Sequence, residues 1–184
     1  MNTKDMRKII VQAAYHAKHG HMPSALSLVE ILKSYSEVKQ EQDEIVLSKG
    51  HGAETLYAIL SDLNFFPKEW IKNNFRDNEC KLGGHADAKV PGVELSTGSL
   101  GHGLGYIAGI ALSDKIDKKN RKYIVLLGDA ECTAGSVWEA ASFISLKKLS
   151  SVLAIVDLNK IGATDFSKNF MNTNQLIYQW KSFG

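Results

Sequence analysis

The sequence predicts an α/β fold in which a parallel sheet is flanked by helices. Residues 122–128 (KYIVLLG) and 151–159 (SVLAIVDLN) are short runs rich in Val, Ile and Leu, without the polar alternation of a half-exposed strand. That is the pattern of parallel strands buried on both faces. Between them Val137, Ala140, Ala141 and Ile144 recur at helical spacing. Strand, helix and strand then form a right-handed βαβ unit, with the two strands parallel and adjacent. Just upstream, STGSLGHGLGYIAGIAL crowds glycines at its start and follows them with small and apolar residues, which reads as a loop feeding a closely packed helix.

The remaining elements follow from the N-terminus onward. Met6, Ile9, Ile10, Ala13, Ala14 and Ala17 trace one helical face, and Gly20 is placed to end that helix. A second helix is expected near Ser27, where Ser27 and Glu30 have capping-box spacing and Leu28, Ile31, Leu32 and Tyr35 form a face. Residues 53–63 and 68–75 read as two further helices, the latter with Pro67 at its first turn. The first ninety residues thus look like a helical, loop-rich surround. The charged stretch DKIDKKNRK, residues 114–122, reads as a solvated loop whose charges need no partner, in preference to a phosphate-binding patch. No repeat, low-complexity tract or linker interrupts the chain, so residues 1–184 are expected to form a single domain. The last residues, YQWKSFG, fall where an open α/β sheet would continue; the sheet is expected to be either small or completed elsewhere.

With 44% hydrophobic and 23% charged residues, the 184-residue chain can build one sizeable core. A formal net charge of +2 and six dispersed histidines leave no polybasic stripe for nucleic acid or an anionic membrane, so a small-molecule partner is expected. The N-terminal MNTKDMRKII alternates charged and apolar residues and no apolar core segment follows, which predicts neither signal peptide nor membrane span and a cytoplasmic location. Cys80 and Cys132 match no zinc or disulfide spacing and are expected to be reduced thiols.

Each strand run ends in a polar residue, Asp129 after the first and Asn159 after the second. In an open parallel sheet the ligand crevice lies beyond the carboxyl ends of the strands, and the crossover brings these two residues together. A carboxylate and an amide carbonyl are hard oxygen ligands, suited to Mg²⁺ or Ca²⁺, and Mg²⁺ held by few protein oxygens completes its shell with water and phosphate. Gly128 permits close backbone approach. These features point to a Mg²⁺–diphosphate site. The alternative is that Asp129 only begins the next helix and Asn159 only forms a turn.

The stretch GDAECTAGSVWEAA, followed by IVDLN, resembles the Gly-Asp-Gly…Asn motif of thiamine-diphosphate enzymes. With AKHGHMPSALSLVEIL, DEIVLSKGHGAETLYAIL and GGHADAKVPGVELSTGSLGHGLGYIAGIAL, it resembles the transketolases, especially the N-terminal subunits of split bacterial transketolases. The resemblance covers nearly the whole chain in family order. It implies a single thiamine-diphosphate-binding domain, of the type that holds the diphosphate, either a natural short form or one incomplete at its C-terminus. It assigns Asp129, Asn159 and the carbonyl of Ile161 to Mg²⁺ or substituting Ca²⁺, Gly128 and Ala130 to the diphosphate, and Gly98 and Leu100 to the aminopyrimidine and ring system. His21 and His85 would reach substrate oxygens as catalytic groups, and His51 would lie by the diphosphate.

Four of the six histidines adjoin glycine: His21, His51, His85 and His102. Exposed imidazoles on such loops suit hydrogen bonding to phosphate or sugar hydroxyls; simple loop histidines with local bonds are the alternative. Zinc is disfavoured by the lack of suitably spaced partners. His16 and His19 are expected on the first helix, as surface or packing residues. His102 stands where the resembling enzymes usually have Gln. Ala130 stands in place of the motif's second Gly, and Ala134 in place of a Glu that links paired active sites. The Glu that activates the cofactor belongs, in this family, to a pyrimidine-binding domain on another chain or a later segment. The resemblance therefore implies a chain inactive alone, a hetero-oligomer or homodimer, a partner in the form of a C-terminal subunit, and sugars or sugar phosphates as substrates. The competing readings are a non-catalytic partner that keeps the fold, and a different thiamine enzyme such as a deoxyxylulose-phosphate synthase or a 2-oxo-acid dehydrogenase component.

Overall fold

The N-terminal helix α1 (Thr3–Ala17) starts where Asn2 accepts the Asp5 N–H at 2.9 Å, satisfying one of the free donors of its first turn. Met6, Ile9, Ile10, Ala13 and Ala14 form its buried face, as their spacing predicts. It ends before Gly20, at Lys18, which adopts the left-handed conformation (φ 50°). In the computed structural model, every residue is described except Asn78, Glu79 and the side chain of Asn74. The described residues group into two compact units, one of residues 1–41 and 50–98, the other of 42–49 and 99–184.

The first unit continues with α2 (Met22–Ser27), α3 (Val29–Val38), α4 (Ala53–Asp62) and α5 (Glu69–Asn74). The capping box expected at Ser27 does not form. Pro23 sits in the first turn of α2, where its missing N–H costs nothing. Helix therefore begins earlier, and Ser27 falls at the end of α2 with its hydroxyl donating to the Ser24 carbonyl at 2.9 Å. Helix α3 starts after Leu28, with no side-chain cap. The predicted apolar face survives the shift, since Leu28, Leu32 and Tyr35 are buried. Helix α4 is buried along almost its whole length, including the carboxylate of Glu54.

The second unit holds three parallel strands, β1 (Glu44–Leu47), β2 (Tyr123–Gly128) and β3 (Val152–Asp157), in the order β1-β2-β3. Leu47 pairs with Leu126, and Gly128 with Asp157. The expected parallel, adjacent pair is β2 and β3, linked by α7 (Gly135–Leu146). Strand β1 is an addition to the predicted helical surround. Its four residues are too few for any periodicity to register. Strand β2 is buried, but β3 departs from expectation: Leu153 is 54% exposed. Among the described residues β3 pairs only with β2, so it lies at an edge, where coverage of both faces is incomplete.

Helix α6 (Gly103–Ile116) follows the glycine-rich loop as predicted, and α8 (Thr173–Ser182) begins where Asn172 accepts the N–H groups of Asn174 and Gln175. Trp138 packs near Trp180 and Phe183 of this C-terminal segment, with ring centroids 5.2 and 6.1 Å away. The stretch 114–122 is not a purely solvated loop. Helix α6 runs through its beginning, so Asp114 is carried into the interior, where it is only 3% exposed. Its carboxylate accepts from Arg121 at 2.6 and 2.8 Å and from the Tyr123 hydroxyl at 2.6 Å. Arg121 also reaches Glu44, at 2.8 Å. A carboxylate taken out of water requires such partners. No helix among the described residues is long and apolar enough to cross a membrane.

Candidate functional site

In the second unit, β2 delivers Gly128 and Asp129 to the carboxyl edge of the sheet, and β3 delivers Asp157 and Asn159 beside them. Asp129 is 1% exposed. One of its oxygens accepts the Ala130 N–H at 2.8 Å; the other accepts the Lys160 N–H at 2.9 Å and the Ser167 hydroxyl at 2.8 Å. The bond to Lys160 draws the segment after β3 onto Asp129, so that Asn159 and Ile161 flank the peptide it holds. Lys160 itself adopts a left-handed conformation (φ 65°), which turns the chain sharply there. The Asn159 side-chain oxygen accepts the Ile161 N–H at 3.0 Å, and its amide nitrogen donates to Asp157 at 3.3 Å. Ile161 is exposed.

Asp129 and Asn159 thus stand beyond the carboxyl ends of adjacent strands, with Ile161 two residues further on. A carboxylate and an amide oxygen with a nearby backbone carbonyl fit Mg²⁺ or Ca²⁺, and each retains acceptor capacity beyond the bonds described. Among the described residues no group of three or more His, Cys, Asp and Glu side chains is placed to hold a metal ion, so the donor set depends on the amide and the carbonyl. Ala130 begins a 3₁₀ turn, Ala130–Thr133, and its φ is not positive. Its methyl group is therefore compatible with the backbone that the motif's second Gly would occupy. The N–H groups of Gly128 and Ala130 are already bonded within the chain, to Glu131 and Asp129. Leu100 is exposed, and His102 is exposed at the N-cap of α6 without a side-chain capping bond.

In the first unit the predicted histidines assemble. The ring of His21 lies 5.8 Å from that of His51 and 5.3 Å from that of His85, centroid to centroid. Gly98 adjoins the His85 imidazole, since a Cβ built on Gly98 would lie 3.6 Å from that ring. His19 joins the cluster, contrary to its expected place on the first helix. That helix stops at Ala17, leaving the His19 ring 5.9 Å from His21 and 2.6 Å from the Arg76 guanidinium. His16 is on α1 as predicted and lies 3.4 Å from Asp77.

Beneath the cluster lies Glu54, fully buried, which accepts the His21 backbone N–H at 3.0 Å. Gly20 allows this approach, because a Cβ there would come within 2.9 Å of the same carboxylate oxygen. The other Glu54 oxygen and the His21 Nδ1 are buried without a hydrogen-bond partner among the described residues. Burial pushes the Glu54 carboxyl up, against the pull of hydrogen bonds and of Arg76 and His85. His21 is held below the usual imidazole range, first by burial and then by His19 and Arg76. His85 is lowered by burial, His21 and Arg76, with Glu54 opposing. Both rings are thereby biased toward the neutral form, able to donate at one nitrogen and accept at the other.

Among the described residues, four buried charged groups escape the sequence reading: Lys49, Asp157, Glu131 and Glu54. Lys49, 0% exposed, pairs with Asp157 at 2.6 Å. Glu131, 1% exposed, accepts from Ser48, Gly101 and Gly128. Glu54 has a visible signal, being the lone early charge in the apolar run AETLYAIL. Cys132 is buried in the Ala130–Thr133 turn and burial raises its thiol to about 12, which makes it inert as a nucleophile.

Residues 2–184 match the family model of the transketolase thiamine diphosphate binding domain. The chain is 38% identical over 189 residues to one subunit of the apulose-4-phosphate transketolase of Actinobacillus succinogenes, covering 97% of this chain and 68% of that protein. The corresponding subunit from Phocaeicola vulgatus is 33% identical over 194 residues, covering 100% and 69%. The crystal structure of a transketolase from Campylobacter jejuni superposes with a TM-score of 0.89 at 28% identity. The match covers 99% of this chain and 31% of that one, so the chain spans about a third of the solved transketolase.

Proposed function

The chain belongs to the transketolase family, and from that premise we propose that it is the thiamine-diphosphate- and Mg²⁺-binding N-terminal subunit of a two-component transketolase. With a separate C-terminal subunit carrying the pyrimidine-binding domain, it would transfer a two-carbon ketol unit between a ketose and an aldose, as sugars or sugar phosphates. Relatives described as single subunits of apulose-4-phosphate and 6-deoxy-6-sulfo-D-fructose transketolases support the division of labour. The observation that carries the reading is the 2.9 Å bond from the Lys160 N–H to Asp129, which gathers Asn159 and Ile161 at a buried carboxylate.

In this reading Asp129, the Asn159 amide oxygen and the Ile161 carbonyl hold the metal. Gly128 and Ala130 line the diphosphate. Because both N–H groups are bonded within the chain, these residues contribute close approach rather than donors. His51 serves the diphosphate, and Gly98 and Leu100 lie against the ring system. When bound, thiamine diphosphate supplies the electron sink for breaking and making the carbon–carbon bond. His21 and His85, biased toward neutrality, orient sugar hydroxyls and pass protons to and from substrate oxygens.

The test is calorimetric titration of thiamine diphosphate with Mg²⁺, with EDTA, and with Asp129→Ala. Removal of a metal ligand should weaken binding by more than the roughly 10–100-fold typical of outer-shell changes, and EDTA should abolish it. Binding unchanged in Asp129→Ala would refute the assignment. The second reading, a non-catalytic partner, is favoured by Ala134, which offers no carboxyl at its place before α7. Ketol transfer on mixing with a C-terminal subunit separates the two.

A further inference from the structure

Glu131 lies two residues beyond the proposed metal ligand and does not face solvent. One of its oxygens accepts the Ser48 hydroxyl at 2.5 Å and the Gly101 N–H at 2.8 Å; the other accepts the Gly128 N–H at 3.0 Å. The three donors come from three separate stretches of the second unit. Ser48 follows β1, Gly101 belongs to the glycine-rich loop before α6, and Gly128 ends β2. Pairing of β1 with β2 already aligns the stretches that bear Ser48 and Gly128, but none of the Glu131 contacts is itself a strand or helix bond, and strand pairing alone does not tie the Gly101 loop to the other two.

The donors are themselves held. Gly101 has φ +86°, and its carbonyl accepts the Ser136 hydroxyl at 2.9 Å, so its N–H and its carbonyl are both engaged. A Cβ at Gly101 would fall 2.6 Å from Ser136 Oγ and 2.8 Å from the Ala134 methyl. Ser48 is buried and packs on Gly103, where a Cβ would come within 2.6 Å of its hydroxyl. Glycine at 101 and 103 is thus what lets the loop approach close enough for one carboxylate to reach all three segments.

We propose that Glu131 is a positioning residue for the cofactor, a clamp that sets the turn bearing Asp129 and Ala130 and the glycine-rich loop in place before the ligand arrives. The inference rests on the thiamine-diphosphate reading of the site. A carboxylate with donors on both oxygens forms charge-assisted bonds, stronger than their neutral counterparts. It also cannot be exchanged for an amide without penalty: glutamine presents an NH₂ toward either Gly128 or the Ser48–Gly101 pair, and a donor then faces a donor. Groups that orient a ligand shell are expected to act on affinity through preorganisation.

The experiment compares wild type, Glu131→Gln and Ser48→Ala in three measurements: thiamine diphosphate affinity with Mg²⁺ by calorimetry, melting temperature without ligand, and amide hydrogen exchange at Gly101 and Gly128. Glu131→Gln should weaken cofactor binding by about 10–100-fold and speed exchange at both glycines. Ser48→Ala withdraws one donor without creating a clash and should weaken binding by about 3–10-fold, even if Glu131→Gln folds poorly. A purely structural role would lower the melting temperature of the variants and leave the affinity of the folded fraction unchanged, and that result overturns the clamp. Wild-type protein that fails to bind thiamine diphosphate overturns the cofactor reading instead, and the inference with it.

Discussion

Replacing Lys49 by Met tests whether a buried ion pair holds the carboxyl edge of the sheet. The ammonium is completely buried and lies 2.6 Å from an Asp157 oxygen, whose side chain is only 9% exposed. At 2.6 Å and an effective dielectric of about 20, the attraction is roughly 6 kcal/mol. Most of that offsets the desolvation of the two ions. Methionine fills similar space but leaves the Asp157 carboxylate without its cation, so the desolvation cost remains while the attraction is gone. Lys49→Met should therefore lower stability by about 3–5 kcal/mol, and Asp157→Leu, which strands the ammonium, by a similar amount. The double variant Lys49→Met/Asp157→Leu should be far less destabilised than the sum, because an apolar pair avoids both penalties. Equilibrium urea unfolding of all four proteins gives the values, with an unchanged m confirming that the native fold is compared. A loss below about 1 kcal/mol in either single variant, at the level of an exposed pair, or strict additivity in the double, would refute the reasoning.

Acid should destabilise the histidine cluster. His21 and His85 are lowered in the folded chain from the ordinary 6.5, so the unfolded chain binds protons more readily, and their stabilising effect is present above that value and lost as pH falls below it. Imidazole NMR titration should find both groups below 6.5, and a value above it in either would contradict the cluster geometry. Glu54 carries the opposite sign: its raised carboxyl favours folding at low pH, and that contribution disappears as pH rises through the raised value. Glu54→Gln should therefore stabilise the chain near neutral pH and lower His85 further by removing the one group that raises it, leaving His21, Arg76 and Tyr57 as its other neighbours in the cluster. For Asp114, the Arg121 bonds hold the carboxyl at about 2 against burial, with Tyr123 assisting, so its contribution is present above the ordinary 3.8 and lost as pH falls through about 2. Asp114→Asn should flatten acid unfolding in that range, and Tyr123→Phe should cost about 1 kcal/mol; an unchanged acid transition in Asp114→Asn would refute the network.

The parts of the fold legible in the sequence are those where one local signal dominates. Strands β2 and β3 are long enough for an uninterrupted apolar run, and α1, α6 and α7 show a clear helical repeat or a glycine-rich entry. Strand β1 has four residues and no such signal, because only pairing with β2 defines it. The boundary between α2 and α3 is hard to read because two start signals compete, a Ser-x-x-Glu spacing and an upstream proline, and the proline acts first along the chain. The site divides the same way. Asp129, Asn159 and the glycine-flanked histidines stand at places that strand ends and loops announce. Lys49, Glu131 and Arg121 matter through partners 108, 83 and 77 residues away, separations that no local pattern encodes. The solvated reading of residues 114–122 fails for a different reason: Asp114 and Arg121 pair within the run itself, and a charge run looks the same whether its first carboxylate ends in water or under an arginine.

The ordinary backbone at Ala130 has a consequence for how such proteins are found. A search written as Gly-Asp-Gly would pass over this chain, although its turn has no conformational need for a third residue without a side chain. The position takes a right-handed turn, and alanine adopts that backbone as glycine does. A filter built on backbone angle, with an Asp and an Asn thirty residues apart as its anchor, would retain chains that a literal string discards.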